Sequence, residues 1–225
     1  MLSRVLLWPF VRLHIWRVSG PREFPGAAVV VANHISHFDP FLLAVAFAQT
    51  IDWMTTTEFY SNPLLGAWLR ALNTLPVNRS RPDHRAIRLG VRRLRAGRLL
   101  GVFPDGGLRA GPTSVLGGVT PKSGAASIAR IAGVPIIPCV IFGSDRLYAP
   151  ASWRPWPPRT KIWIAVGAPF RVSDASGVEA SAQLVNAMRE IAAEAVAHFA
   201  LSEDDLPTTP QRRKGRDAQS VPNES

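Results

Sequence analysis

Residues 27–40 read AAVVVANHISHFDP, an apolar run followed at once by a cluster of polar side chains. The run from Ala27 to Ala32 is rich in valine and follows a Pro-Gly pair, which predicts a buried strand. A helix is predicted directly after the polar cluster, from Asp39 to Gln49, with Asp39 as its N-cap and Pro40 at its first position. A buried strand followed by a helix is the repeating unit of α/β proteins, so this stretch indicates that class.

The same alternation continues along the chain. Further strands are predicted at residues 51–55, 74–77, 99–103, 134–142 and 161–166, and further helices at 62–72, 82–96, 122–132 and 177–201. Strands that alternate with helices favour a mainly parallel central sheet flanked by helices. A chain of 225 residues suits one domain. We therefore predict a single α/β domain at residues 21–201.

Both ends of the chain depart from this pattern. Residues 1–20 are apolar side chains interrupted by arginines, which predicts an N-terminal helix lying in a membrane interface. A helix packed on the domain explains the same residues equally well. No window reaches the roughly 20 mostly apolar residues that a spanning helix needs. Residues 202–225 are polar and charged, and we predict a disordered tail there.

The net charge of +10 comes mostly from arginine. It indicates a polyanionic partner, which could be nucleic acid, an anionic membrane face or a phosphorylated substrate. A high-GC genome explains the choice of arginine over lysine, but not the shortage of acids. A nucleic-acid-binding protein is one hypothesis that would explain the charge. However, no helix-turn-helix, zinc or RNA-binding pattern is present in the sequence. The single cysteine, Cys139, excludes an internal disulfide and is expected to be buried.

Two segments carry much of the basic charge. The predicted helix at 82–96 has an arginine stripe on a different face from its apolar residues, formed by Arg85, Arg88, Arg92 and Arg95. Such a stripe suits anionic headgroups, and an ordinary solvated helix face is the alternative. Residues 153–159 read WRPWPPR and combine tryptophan with arginine, as membrane-interface segments do. A rigid packed loop would have the same composition.

The polar cluster after the first strand contains the candidate catalytic residues. His34 precedes Asp39 by five residues across a strand-to-helix turn, so the carboxylate can fold back onto the imidazole. A carboxylate on one ring nitrogen fixes the tautomer and leaves the other nitrogen as a general base. No G-x-S-x-G motif is present, so the substrate would supply the hydroxyl. The alternatives are a capping role for Asp39, an ordinary buried histidine, and a metal site shared with His37.

Four blocks, in order, resemble the glycerolipid acyltransferases, the family that includes 1-acylglycerol-3-phosphate acyltransferase. The blocks are Asn33-His34 through Asp39, which fits N-H-x4-D; LPVNR at 75–79; FPDGGLR at 103–109; and VPIIP at 134–138. The segment KSGA at 122–125 is also similar to the family's K-x-G-A. The resemblance runs from about Ala27 to Phe142. The third block departs from the family's F-P-E-G-T-R-S, because Asp105 replaces glutamate and the arginine comes one residue later, at Arg109.

The resemblance implies transfer of a fatty acyl group from a thioester of coenzyme A or acyl carrier protein to a lysophospholipid hydroxyl. The first acceptor it suggests is 1-acylglycerol-3-phosphate, in phospholipid biosynthesis, and the altered third block leaves another lipid acceptor open. His34 and Asp39 would be the catalytic pair. The substrate-binding residues would be Arg79, Asp105, Gly106, Arg109 and Lys122.

The resemblance also sets expectations for partners and location. No metal and no cofactor is expected beyond the acyl thioester co-substrate. The expected partners are that thioester, its acyl carrier protein where this is the donor, the lysophospholipid and an anionic membrane surface, with no nucleic acid. The expected location is the cytoplasmic face of a membrane, as a peripheral or monotopic protein.

Overall fold

The computed structural model describes residues 9–20, 22–80, 83–153, 159–172 and 177–209. Its strands are β1 Val11–Arg17, β2 Ala28–Ala32, β3 Ile51–Thr56, β4 Leu75–Val77, β5 Leu99–Val102, β6 Ile136–Phe142 and β7 Thr160–Val166. Its helices are α1 Asp39–Ala46, α2 Pro63–Ala71, α3 His84–Arg95, α4 Gly124–Ala132 and α5 Gly177–Phe199. The seven strands form one sheet in the order β1-β7-β6-β2-β5-β3-β4. Every neighbouring pair is parallel except β6 and β7, which confirms the predicted α/β class.

The core lies on both faces of this sheet. Val30 and Ala32 of β2 pack with the α1 side chains Leu42 and Leu43 on one face. Val29 and Val31 pack on the other face, in a cluster that also holds Leu94 of α3, Ile128 of α4 and Met188 of α5. Because helices cover both faces, a central strand has no solvent-facing side, and this is why its sequence is continuously apolar.

One edge of the sheet collects the carboxyl ends of β2 to β6, and we call it the carboxyl edge. The segments that follow these strands lead into α1, α2, α3 and α4, so these four helices begin near that edge. Strand β7 runs the other way, and its continuation pairs Phe170 with Ile136 at the start of β6. Helix α5 therefore begins at the opposite edge.

The prediction of an N-terminal interfacial helix is wrong for residues 11–17, which form β1 at the edge of the sheet. The whole strand pairs with β7, and its side chains alternate between the two faces. Val11 packs with the α1 cluster, whereas Trp16 packs with residues of β6, β7 and α5. Residues 1–8 lie outside the described residues. Within the described part of the chain, no helix is both long and apolar enough to cross a bilayer.

The prediction of a disordered tail is wrong for residues 202–209. Ser202 and Asp205 close a capping box around a single helical turn. The Asp205 carboxylate accepts a hydrogen bond from Arg146 at 2.7 Å, and Thr208 donates two hydrogen bonds to Asp145. These polar residues are ordered because they pair with charged groups of the domain. The remainder of the predicted tail, residues 210–225, lies outside the described residues.

Candidate active site

The predicted contact between His34 and Asp39 is present at the carboxyl edge of β2. The Asp39 Oδ2 atom lies 2.9 Å from His34 Nδ1. The Asp39 side chain is fully buried, whereas 13% of the imidazole is exposed. A carboxylate on Nδ1 fixes the tautomer that carries its proton there. Within the described residues His34 Nε2 has no hydrogen-bond partner, so this nitrogen can accept a proton from a ligand.

The Asp39 carboxylate is held by four hydrogen bonds. Its Oδ2 atom accepts the backbone N–H groups of Ile35 and Ser36, each at 2.8 Å, in addition to the imidazole. Its Oδ1 atom accepts the hydroxyl of Ser144 at 2.5 Å. A buried charge is stable when its lone pairs are occupied in this way. Asp39 is therefore fixed in position before any substrate arrives.

The sequence predicted that Asp39 caps α1, and this prediction is wrong. The N-cap is Phe38, and Asp39 is the first residue inside the helix, with Pro40 next. The carboxylate turns back toward the preceding loop because two N–H groups there and the His34 ring compete for it. Its negative charge in the first turn still favours the helix dipole.

Ser144 is a site residue that the sequence did not single out. It follows β6 and Gly143, a glycine with a φ of 82°. In the sequence, the only local signal is the glycine itself. A glycine favours this left-handed conformation, so it indicates a tight turn at the carboxyl edge rather than a function. The neighbouring Asn33 joins the same strands, because its amide exchanges two hydrogen bonds with the backbone of Ile141, at 2.9 and 2.8 Å. The ends of β2 and β6 are thus locked together beneath His34.

An aromatic stack supports the imidazole from the side of β5. The ring centroids of His34 and Phe103 are 4.0 Å apart, with the planes inclined by 11°. Phe103 stacks in turn on Trp53, at 4.7 Å and 7°. The Trp53 ring lies directly against Gly101, since a Cβ placed there would come within 2.3 Å of it. Gly101 in the interior of a strand is the sequence signal of this close approach.

Replacing Gly101 with alanine should destabilise the protein, because the added methyl group must displace the Trp53 ring. We expect the free energy of unfolding to fall by about 1–3 kcal/mol, as is usual for an overpacked core. Urea unfolding measures this change. Gly124→Ala is the matched control, since the space around that glycine is open. Equal stability of the two variants would contradict the close packing of Trp53.

Four of the predicted substrate-binding residues surround the loop that follows β5. Arg79, after β4, donates a hydrogen bond from its guanidinium to the Gly106 carbonyl at 3.0 Å. The Arg109 backbone N–H donates to the His34 carbonyl at 2.9 Å, which ties this loop to the catalytic turn. Lys122 precedes α4 and packs along Gly106. Three cationic residues thus gather at this loop, which contacts the His34 turn through the Arg109 backbone, and they can attract an anionic ligand there.

Asp105 lies on the inner side of the same loop. It is buried, and its Oδ1 atom accepts the backbone N–H of Val115 at 2.7 Å. Burial raises the pKa of this carboxyl, although the backbone N–H groups of Val115 and His34 oppose the shift. The contact with Val115 closes residues 105–115 into a compact loop. The structure thus gives Asp105 a role in shaping the loop that carries Arg109.

The alternative metal site is not supported by the geometry. His37 is exposed and pairs with the Tyr148 hydroxyl, which also accepts the His37 backbone N–H at 3.1 Å. His34 and His37 therefore have different partners. No cluster of three or more metal-ligating side chains occurs in the portion of the chain that the structure describes.

The two predicted basic segments have different outcomes. Helix α3 buries Val91 and Leu94 and exposes the arginine stripe, as the spacing predicted. The stripe begins at the carboxyl edge with Arg85. Most of the tryptophan–arginine segment, residues 154–158, lies outside the described residues.

The chemistry available at this site is that of a general base without a protein nucleophile. Ser144 donates to Asp39, and the Ser36 hydroxyl accepts the Phe38 N–H at 3.2 Å. Cys139 is fully buried, and burial raises the pKa of its thiol to about 12. No described serine, threonine or cysteine is hydrogen-bonded to the His34 ring. Such a pair can activate a hydroxyl group only if a ligand provides it.

The comparison with protein families agrees with this chemistry. The sequence profile of the family described as "Acyltransferase" matches residues 15–142, which is more than half of the chain. The chain therefore belongs to the acyltransferase family. The matched region contains His34, Asp39 and the loop after β5, so the family assignment rests on the part of the chain that builds the site.

Individual relatives give the same assignment. The chain is 26% identical over 147 residues to the 1-acyl-sn-glycerol-3-phosphate acyltransferase of Bacillus subtilis, covering 65% of this chain and 68% of that one. It is 28% identical over 175 residues to the enzyme of that name from Streptococcus pneumoniae, covering 73% and 61%. The matches therefore span about two thirds of the length of these relatives.

A solved structure shares the fold. It is the 1-acyl-sn-glycerophosphate (LPA) acyltransferase PlsC from Thermotoga maritima, with a TM-score of 0.62 and 22% sequence identity. The superposition covers 85% of this chain and 76% of that one. At this identity the likeness establishes the α/β architecture, whereas the family assignment comes from the sequence.

Proposed function

We propose that the protein transfers a fatty acyl group from an acyl thioester to the free hydroxyl of 1-acylglycerol-3-phosphate, in phospholipid biosynthesis. One observation carries this proposal. His34 is held by the buried Asp39 on one nitrogen, while its other nitrogen has no hydrogen-bond partner among the described residues. A base in that state needs a hydroxyl from the acceptor. The names of the relatives from Bacillus subtilis and Streptococcus pneumoniae support this choice of acceptor.

The reaction follows from the geometry of the pair. His34 Nε2 removes the proton of the acceptor hydroxyl as its oxygen attacks the thioester carbonyl. Asp39 stabilises the imidazolium that forms. The tetrahedral intermediate then collapses, the carbon–sulfur bond breaks, and the imidazolium returns its proton to the departing thiolate. The products are an ester and a free thiol, and His34 is again neutral.

We assign the acceptor phosphate to the cations around the loop after β5. Arg79 and Arg109 can each offer N–H donors to phosphate oxygens, and Lys122 adds a third positive charge. The donor is a thioester of coenzyme A or acyl carrier protein. The enzyme would work as a peripheral protein at the cytoplasmic face of a membrane, where the net charge of +10 favours anionic lipids.

The direct test incubates the purified protein with labelled acyl-coenzyme A or acyl–acyl carrier protein and a panel of lysolipids. We expect labelled phosphatidic acid from 1-acylglycerol-3-phosphate and little product from lysolipids without a terminal phosphate. Product from another lysolipid, with none from 1-acylglycerol-3-phosphate, would disprove the acceptor while leaving acyl transfer in place.

The role of Arg79 can be tested by specificity. Arg79→Ala should lower kcat/KM for 1-acylglycerol-3-phosphate by roughly 10- to 100-fold, the value of one charge-assisted hydrogen bond. The loss should appear mainly in KM, and the slow reaction with monoacylglycerol should not change, since that acceptor has no phosphate. Arg79→Lys keeps the charge and should recover part of the loss. An equal loss with both acceptors would argue against phosphate binding at Arg79.

A further inference from the structure

Large apolar side chains are exposed on α2, on the turn before it and at its C-cap. They are Phe59, Leu64, Leu65, Trp68 and Leu72, which we call the α2 surface. Leu64 is 82% exposed and Trp68 is 49% exposed. Large exposed apolar side chains that lie on neighbouring turns often mark an interaction site.

The α2 surface is one face of a helix. At about 100° per residue, four of its members fall within an arc of about 100°: Leu64, Leu65, Trp68 and Leu72. Gly66 lies about 150° from the middle of this arc and Leu69 about 90° from it. These two are the buried residues of α2. The Asn62 side chain caps the first turn by accepting the N–H groups of Leu64 and Leu65. The helix is therefore capped at its N-terminus, and its largest apolar side chains are exposed to solvent.

The α2 surface adjoins the candidate active site. Helix α2 begins at the carboxyl edge, one short turn after β3. The Trp68 ring lies 6.0 Å from the ring of Phe41, centroid to centroid. Phe41 belongs to α1, two residues after Asp39. A partner bound to the α2 surface would thus lie next to the catalytic pair.

The charges around the α2 surface are mainly positive. Arg70 of α2 packs over the Tyr60 ring at 5.7 Å, and Arg79 and the start of the arginine stripe lie at the same edge of the sheet. The nearby acids are fewer than these cations: Glu58 accepts the Thr56 hydroxyl, and Asp83 caps α3. Leucine and tryptophan on one face with arginine alongside is the composition of helices that lie in a lipid interface.

We propose that the α2 surface inserts into the interfacial layer of an anionic lipid bilayer and holds the carboxyl edge, with His34, against it. The inference rests on the proposed function in that the acceptor is a membrane lipid. A second copy of the chain fits less well, because a stable interface uses about 20 to 30 residues on each side. This assigns the docking role to α2, in a chain where residues 11–17 are committed to the sheet.

Vesicle co-sedimentation tests the surface directly. The probe is a vesicle of phosphatidylglycerol and phosphatidylethanolamine. The double variant Leu64→Glu/Leu65→Glu should bind roughly tenfold less than the wild type or weaker still, since apolar burial is replaced by charge repulsion. The control is Val178→Glu, compared with the single variant Leu64→Glu so that each adds one carboxylate. Val178 is 80% exposed on α5 at the opposite edge of the sheet, and its variant should bind as the wild type does. Equal binding by the double variant and the wild type would overturn the proposal.

A labelling experiment does not depend on the stability of that variant. The chain has one cysteine, and Cys139 is fully buried with a pKa raised to about 12, so an added surface cysteine can be labelled selectively. A polarity-sensitive dye on Leu64→Cys should shift to the blue when vesicles are added, and the same dye on Val178→Cys should not. Vesicle binding without a shift at position 64 would overturn the proposal. So would a shift at position 64 that follows protein concentration without lipid, since this indicates self-association.

Failure of the surface and failure of the proposed function give different results. A short-chain acceptor that stays monomeric in water should be acylated equally by the wild type and the Leu64→Glu/Leu65→Glu variant, whereas the vesicle-bound acceptor should react more slowly with the variant. That outcome supports both proposals. An inactive wild type that still binds vesicles through position 64 would reject the acceptor but keep the surface. An active wild type whose vesicle turnover is unaffected by the double variant would reject the surface.

Discussion

Replacing His34 with alanine is expected to lower kcat by about 10²- to 10⁴-fold, the range of a positioned general base. His37 is not expected to replace it, because His37 lies outside the pair and contacts Tyr148. Single-turnover assays with a labelled acyl thioester measure the chemical step directly.

Two controls accompany the His34 variant. Circular dichroism and Tm should show that the protein is folded, since Asp39 keeps three of its four hydrogen bonds without the ring. His37→Ala removes an exposed imidazole three residues away and should retain nearly full activity. A folded His34→Ala protein with normal turnover would reject base catalysis at this position.

The second large effect is expected for Asp39→Asn. Asparagine can keep an oxygen toward Ile35 and Ser36 and can turn its amide nitrogen toward the Ser144 hydroxyl, so the fold should persist. The negative charge that stabilises the imidazolium is lost. We expect kcat to fall by about 100-fold or more, with little change in KM.

Ser144→Ala provides a graded comparison with Asp39→Asn. It removes one of the four hydrogen bonds to the carboxylate and leaves the charge, so a loss of roughly tenfold in kcat is expected. Steady-state assays of both variants measure the ratio. If Ser144→Ala were as damaging as Asp39→Asn, geometry rather than charge would be the contribution of Asp39.

Local spacing predicted much of the fold and the centre of the site. The valine-rich run predicted β2, and the five-residue separation predicted that Asp39 would meet His34, because both events depend on a single strand-to-helix turn. The arginine stripe of α3 could also be predicted from the sequence, because the helical period depends only on neighbouring residues. Sequence analysis placed Arg79, Gly106, Arg109 and Lys122 in the site only through the family resemblance.

The features that sequence analysis missed depend on distant parts of the chain. Ser144 reaches Asp39 from 105 residues away, and Trp53 reaches Phe103 across neighbouring strands. Residues 11–17 were interpreted as helical because an edge strand paired with β7, far along the chain, has no local signature beyond alternation. The α2 surface was also missed, since a helix with exposed leucines has the same spacing as one that buries them.

The hydrogen bonds around Asp39 determine which substitutions the sequence can accept during evolution. Two of the four donors are backbone N–H groups, which every residue except proline supplies. The residues between the histidine and the aspartate therefore contribute a turn rather than particular side chains to the chemistry. Substitutions at positions 35 to 38 should be limited by packing, as at the buried Ile35, and not by catalysis. The charge pair itself depends on few particular side chains. It is therefore a small target for damaging mutations.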